Sequence, residues 1–206
     1  MAIDSYSTLK STIADFLNRS DLTSVIPTFI SLSEAKFNRV LRTRQMIKRA
    51  TATIDTQYFA MPADFLEAKK LVLNTNPVSV VDFATPEYLD TQKSTNYIAA
   101  GKPAYFGVIG TQFEVVPSPD ANYTGELTYY AKIDSLSDST TSNWLLAYAP
   151  DLYLYGALVQ AAPYLKDDER IATWGQFYTA AMDDIVVADE RASVATTPVV
   201  RARSLG

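Results

Sequence analysis

The chain has 206 residues, 48% apolar and 20% charged, with a net charge of -5 and neither cysteine nor histidine. Those absences exclude disulfides, zinc frameworks built on Cys or His, a thiolate nucleophile and the commonest general base, and with them most familiar hydrolase triads. A chain of this length removes roughly 70% of its unfolded-state surface from water on folding, so one or two domains can form without staples.

The start, Met1-Ala2-Ile3-Asp4-Ser5, lacks the basic segment and apolar stretch of a secretory signal, and synthesis in the cytoplasm is expected. The most apolar window, Leu145 to Leu165, is interrupted by Pro150, Asp151, Gln160 and Pro163, so no membrane span is expected. Asn-X-Ser/Thr matches at Asn18 and Asn122 are then coincidental.

In chain order, Leu9, Ile13, Phe16 and Leu17 form one helical stripe over residues 5–19, with Ser5 or Ser7 as N-cap. After Ser20–Thr23, a second stripe through Ile26, Phe29, Ile30, Ser33, Phe37, Val40 and Leu41 predicts a helix over 24–46, with Pro27 tolerated in its first turn. From Ala50 the period changes to two, and residues 50–55 with Tyr58–Met61 read as a β-hairpin.

Further strands are expected at 70–73, 78–81, 105–109, 112–116 and 126–133, punctuated by Pro and Gly. Thr85-Pro86-Glu87 opens a short helix near 86–92 that should decorate the sheet without joining it. Asp134–Asn143 is a Ser/Thr-rich linker back to helical periodicity at Trp144. A third helix from Pro150, apolar on nearly all sides, should be the central buried one. A fourth follows Asp167-Asp168-Glu169, whose carboxylates suit a helix start, with Ile171, Trp174, Tyr178, Ala181, Ile185 and Ala188 as its stripe. Residues 193–206 carry no stripe.

The expected fold class is therefore α+β. Two N-terminal and two C-terminal helices (1–49 and 144–192) form a four-helix bundle, with a small antiparallel β domain inserted over 50–143 and an extended C-terminal arm over 193–206.

Six of the 18 Lys and Arg residues fall within residues 36–49: Lys36, Arg39, Arg42, Arg44, Lys48 and Arg49, with Glu34 the single acid beside them. The helix macrodipole accounts for two or three cations at a C-terminus, and the surplus points to an acidic protein neighbour or to DNA phosphates. Catalytic signals are weak. The pairs Asp167-Asp168, Asp183-Asp184 and Asp189-Glu190 diverge by about 100 degrees on a helix, and the glycines fit neither phosphate-binding fingerprint. No catalytic, cofactor-binding or metal-ligating residue is assigned. Among the 13 tyrosines, Tyr129, Tyr130, Tyr148, Tyr153 and Tyr155 are candidates for a stacking platform or interface patch, or simply for the core.

Several long blocks resemble the head-to-tail adaptor (connector) proteins of tailed bacteriophages, in the group common among short-tailed phages and prophages. They are Ile26–Ala35 leading into Arg39-Val40-Leu41-Arg42, Tyr58–Glu67, Gly101-Lys102-Pro103, Leu127–Ile133, Asn143–Leu146 and Pro150–Leu158. The resemblance implies no catalysis. It implies a virion protein of the neck, forming a homo-oligomeric ring, typically of twelve copies, between the portal protein and the tail nozzle or tail tube protein, with a lumen that passes double-stranded DNA without reading its sequence. It also implies that a C-terminal arm docks on the portal or on neighbouring subunits, and Val199, Val200, Arg201, Arg203 and Leu205 occupy that position here. Arg39, Arg42, Arg44, Lys48 and Arg49 are the candidates for subunit or portal contacts, with lumen-facing DNA contact second. The alternatives are another neck or tail-completion component, such as a stopper, and a carbohydrate-active enzyme using Asp64 and Glu67.

Overall fold

A computed structural model of the chain describes residues 2–95, 100–165 and 169–193. It is α+β and divides into two compact units: residues up to Gln45 together with those from Ile133 onward, and Met46–Lys132.

The first unit is helical. α1 (Tyr6–Leu17) starts at Ser5, whose hydroxyl accepts from the Thr8 backbone N–H at 3.3 Å while Thr8 reaches back to the Ser5 N–H at 3.0 Å. It stops where Asn18 turns left-handed, at φ 52°. Tyr6, Leu9, Ile13 and Leu17 are its buried face, and Phe16, expected inside, lies exposed beside that stripe. α2 (Ile26–Val40) buries Ile26, Phe29, Ile30, Ser33, Glu34 and Phe37.

Helix α2 ends six residues before the expected limit at residue 46. Leu41 turns extended and enters the core, and the Arg42 guanidinium donates to the carbonyls of Asn38 at 3.0 Å and Leu41 at 2.6 Å. A cation thereby satisfies carbonyls that another helical turn would have used.

α4 (Trp144–Tyr148) begins at Asn143, whose side-chain oxygen accepts from Leu146 N–H at 2.8 Å. α5 (Pro150–Gln160) is apolar on most sides, buries Leu152, Tyr153, Leu154, Gly156, Ala157 and Leu158, and touches α1, α2, α4 and α6 (Arg170–Ser193). α5 is thus the central helix that its composition predicts. The acids Asp167 and Asp168 and the arm from residue 194 lie outside the described residues.

The second unit departs from the expected small antiparallel domain. It holds β1 (Ile47–Ile54), β2 (Tyr58–Ala60), β3 (Phe65–Leu73), β4 (Ser79–Phe83), α3 (Pro86–Thr95), β5 (Tyr105–Ile109), β6 (Gln112–Val116) and β7 (Tyr123–Ala131). The strands form one mixed sheet in the order β1-β7-β3-β4-β5-β6-β2. β4 pairs antiparallel with β3 through Val81 to Leu71 and parallel with β5 through Asp82 to Tyr105. α3 makes the parallel step possible: it stays outside the sheet as expected, packs on β5 and β6, and is the crossover between β4 and β5.

The expected hairpin between residues 50–55 and 58–61 does not form. β1 pairs along its whole length with β7, Ile47 opposite Tyr130 and Ile54 opposite Tyr123, while the three-residue β2 pairs with β6. β7 alternates cleanly, burying Gly125, Leu127, Tyr129 and Ala131, and as a long central strand it takes β1 on one side and β3 on the other. The sheet curls around Ile54, Leu71, Leu73, Val81, Phe106, Phe113, Val115 and Leu127, and the Phe113 ring meets Phe65 edge-on at 5.1 Å and Phe106 at 6.0 Å. With six α-helices and seven strands among the described residues, the chain is richer in elements than the four-helix, small-domain plan.

Candidate interaction surface

The basic segment 36–49 is not one helical stripe. α2 carries only Lys36 and Arg39, the connector after it carries Arg42, a 3-10 turn over Arg44–Met46 opens with Arg44, and β1 carries Lys48 and Arg49, so the cluster is divided between the two units. A helix running to residue 46 would have kept Lys36, Arg39, Arg42 and Arg44 on α2. The burial of Leu41 and Met46 overrides it.

Several of these cations have structural work inside the chain. Arg42 caps α2. The Arg44 backbone N–H donates to Asp189 Oδ1 on α6 at 3.1 Å, and its Nε lies 3.6 Å from the same oxygen. Lys48 Nζ lies 2.9 Å from Asp64 Oδ2, and the Tyr129 hydroxyl donates to Asp64 Oδ1 at 2.8 Å. Burial alone would raise the Asp64 carboxyl, but the bonds from Lys48 and Tyr129 outweigh it and hold the group below its ordinary value. Tyr129 is pushed up to about 12, first by burial and then by Asp64. Arg49 lies diagonally across the β1–β7 ladder from Glu126, with Nε 3.9 Å from its carboxylate and the side chain 75% exposed. Exposed pairs of this kind contribute about 0.2–1 kcal/mol each, too little to explain why so many cations are gathered here.

Lys36 and Arg39 differ from the rest. Lys36 Nζ sits 4.5 Å over the Tyr178 ring of α6. Arg39 is exposed and makes no ion pair among the described residues. Its charge partly offsets the rise that burial imposes on the Tyr178 hydroxyl. The same stretch of α2 also leaves two large apolar side chains in solvent, Leu32 and Val40.

The enzyme alternative finds no assembled pair. Asp64 is held by Lys48 and Tyr129, whereas Glu67 lies on β3 opposite Tyr130 with an exposed side chain. Among the described residues no group of three or more acidic side chains is placed to hold a metal ion. The tyrosines do not gather into one platform either. Tyr129 and Tyr153 are buried, Tyr130 lies under Lys69, Tyr155 packs tilted against Phe177 with centroids 5.0 Å apart, and Tyr148 is exposed.

Two buried carboxylates escape pattern reading. Glu34 accepts from Leu136 N–H at 2.8 Å and the Tyr153 hydroxyl at 3.1 Å, while Asn38 accepts from Ile133 N–H at 2.8 Å. These bonds tie the returning segment to α2, and Asn143, which donates to the Asp134 carbonyl at 2.7 Å, closes that segment on itself. The signal available was an acid inside an apolar stripe. In the other unit Glu114, only 1% exposed, takes Gln57, Tyr58 and Lys93 on one carboxylate oxygen, with Lys93 Nζ at 2.8 Å. Beside them Gln57, Gln92, Lys93, Tyr105 and Ser118 line a cavity of about 370 Å³.

Among the described residues, the surface of α2 combines exposed apolar side chains, Leu32 and Val40, with the cations Lys36 and Arg39. No curated protein matches the chain. The family model described as SU10 adaptor protein matches residues 4–202, nearly the whole sequence, and the chain belongs to that family of bacteriophage adaptor proteins.

Proposed function

We propose that the chain is one subunit of a closed ring between the portal and the tail nozzle of a phage virion, with a lumen through which double-stranded DNA passes without sequence-specific contact. The observation that carries this reading is the family match across residues 4–202. It is supported by exposed apolar side chains on both units, among them Leu32, Val40, Phe177, Val80 and Phe83, which a solitary chain gains nothing by showing to water.

In this reading the work is contact and geometry and involves no catalysis. The helical unit supplies the body, with α1, α2, α5 and α6 as its four principal helices. Arg39, Arg42, Arg44, Lys48 and Arg49 serve subunit or portal contacts, and the arm with Val199, Val200, Arg201, Arg203 and Leu205 docks on the portal. A heterologous contact that closes on itself gives such a ring.

The test is direct. Mass measurement of the purified chain with and without portal protein, followed by imaging of the particle neck, should find a multimer between portal and nozzle. Removing residues 194–206 should weaken portal binding at least ten-fold. A full-length chain that neither binds portal nor is found in the neck overturns the reading.

A further inference from the structure

We propose that the face of α2 bearing Leu32, Lys36, Arg39 and Val40 docks, in the neighbouring copy of this chain, onto the face that β4 and α3 form with Val80, Asp82, Glu87 and Tyr88. The proposal rests on the ring reading above and names the two surfaces that meet.

The donor face follows from spacing. Residues 32, 36, 39 and 40 recur at i, i+4, i+7 and i+8, which places them along one side of the helix, flanking the stripe that packs inward. It is half apolar and half cationic, with Leu32 and Val40 about half exposed.

The receiving face is its complement. On β4, Val80 and Asp82 alternate with buried Val81 and so point outward. Asp82 stands opposite Tyr105 in the parallel β4–β5 ladder, and Tyr88 packs edge-on against Tyr105 with centroids 5.3 Å apart, so strand and helix meet through Tyr105. Asp82 and Glu87 are exposed acids with no ion pair among the described residues.

Charge decides the mode of contact. Two α2 faces meeting each other would set Arg39 against Arg39, whereas α2 against the β4–α3 face pairs cations with acids and isopropyl groups with a ring. That pairing joins unlike surfaces, so it propagates from copy to copy and can close. Duplex DNA is the weaker occupant, because phosphates gain nothing from Leu32 and Val40 and the chain as a whole is acidic.

Because the chain has no cysteine, introduced thiols report cleanly. Full-length chains carrying Val40→Cys are mixed with chains carrying Tyr88→Cys, assembled alone or on portal, and treated with a short bismaleimide. The expected result is a covalent dimer in the mixture and none from either variant by itself, with the doubly substituted chain giving a ladder. Adding Arg39→Glu to the first variant should reduce the product at least ten-fold, and Asp82→Lys with Glu87→Lys in the second should restore it. A ring that forms without this product overturns the pairing and leaves the adaptor reading standing. Dimers from one variant alone overturn it in favour of a same-face contact. Product lost on adding duplex DNA, with DNA retention that depends on Arg39, overturns it in favour of phosphate. If no ring forms alone or on portal, the adaptor reading itself falls.

Discussion

Glu34 shows how one side chain can bind two segments and carry a pH signature. Burial pushes its carboxyl above the ordinary value of 4.5, and the bonds from Leu136, Tyr153 and Ser135 pull it only part of the way back. The folded chain therefore holds the proton more tightly than the unfolded chain. This group favours folding most at or below its ordinary value, and that contribution is lost as pH rises through the window just above it. Glu34→Gln keeps an acceptor for Leu136 and Tyr153 and has no proton to lose. Urea unfolding should show the variant gaining on the parent as pH rises from about 4.5 to neutrality. Glu34→Ala leaves both donors buried and unpartnered and should cost about 2–4 kcal/mol at any pH in that range.

Glu114 makes the same kind of demand with a different partner. Its carboxylate is buried and Lys93 is the cation beside it, itself one-third exposed and shared with Asp90 at 2.6 Å. Lys93→Met should destabilise the β unit by about 2–3 kcal/mol, at or just below the roughly 3–5 kcal/mol that breaking a fully buried pair costs, because water reaches the lysine side. A melting temperature unchanged within a degree or two would show that Gln57 and Tyr58 suffice to hold the acid.

At the scale of elements, the docking of α3 against β5 depends on a missing side chain. A Cβ on Gly107 would lie 2.9 Å from the Ala84 carbonyl oxygen and 2.7 Å from Leu89 Cδ1. Leu89 can turn aside, but the carbonyl is backbone, held where β4 passes into the crossover by the Ala84 N–H bond to the Phe106 carbonyl. Gly107→Ala should cost about 1–3 kcal/mol and loosen α3, which hydrogen exchange along residues 86–95 would register. Gly110, at φ 59° in the β5–β6 turn, is constrained by its backbone and not by space.

The helices were legible because their signals are local. The Ser5 cap, the stripes of α1 and α2, and the all-round apolar surface of α5 are written within a few turns of chain. Strand existence was legible too, but not strand pairing. Nothing near Ala50 announces that its partner is Leu127, because the choice is made by the length and alternation of β7, more than 70 positions downstream. The end of α2 was misplaced for a related reason, since Leu41 and Met46 are drawn into cores whose other walls lie elsewhere in the chain. The basic segment was visible as charge density. Its division into a helix cap, strand-edge pairs and Arg39, which has no ion pair among the described residues, follows from where α2 ends.

For the molecule as a whole, the two units make separate stability predictions. The β unit begins and ends on paired strands, since Ile47 faces Tyr130 and Lys132 N–H donates to the Asp64 carbonyl at 2.7 Å. It has its own aromatic core around Phe113. An isolated fragment of residues 46–132 should fold and unfold in a single transition by circular dichroism and near-UV absorbance. The helical unit is built from two separated stretches, and the chain enters and leaves the β unit next to the paired residues Ile47 and Tyr130. Replacing residues 47–131 with a short Gly/Ser linker should leave it helical, with α5 still protected from exchange. Failure of either fragment would mean that the units fold only together.

The chain crosses between the units twice, and both crossings lie on the same pair of neighbouring strands, β1 and β7. A segment held at two adjacent points can be lengthened, trimmed or replaced by recombination at those points as a single piece. Inheritance can therefore act on the two halves at different rates. One half can track a changing partner while the other keeps the helical core intact.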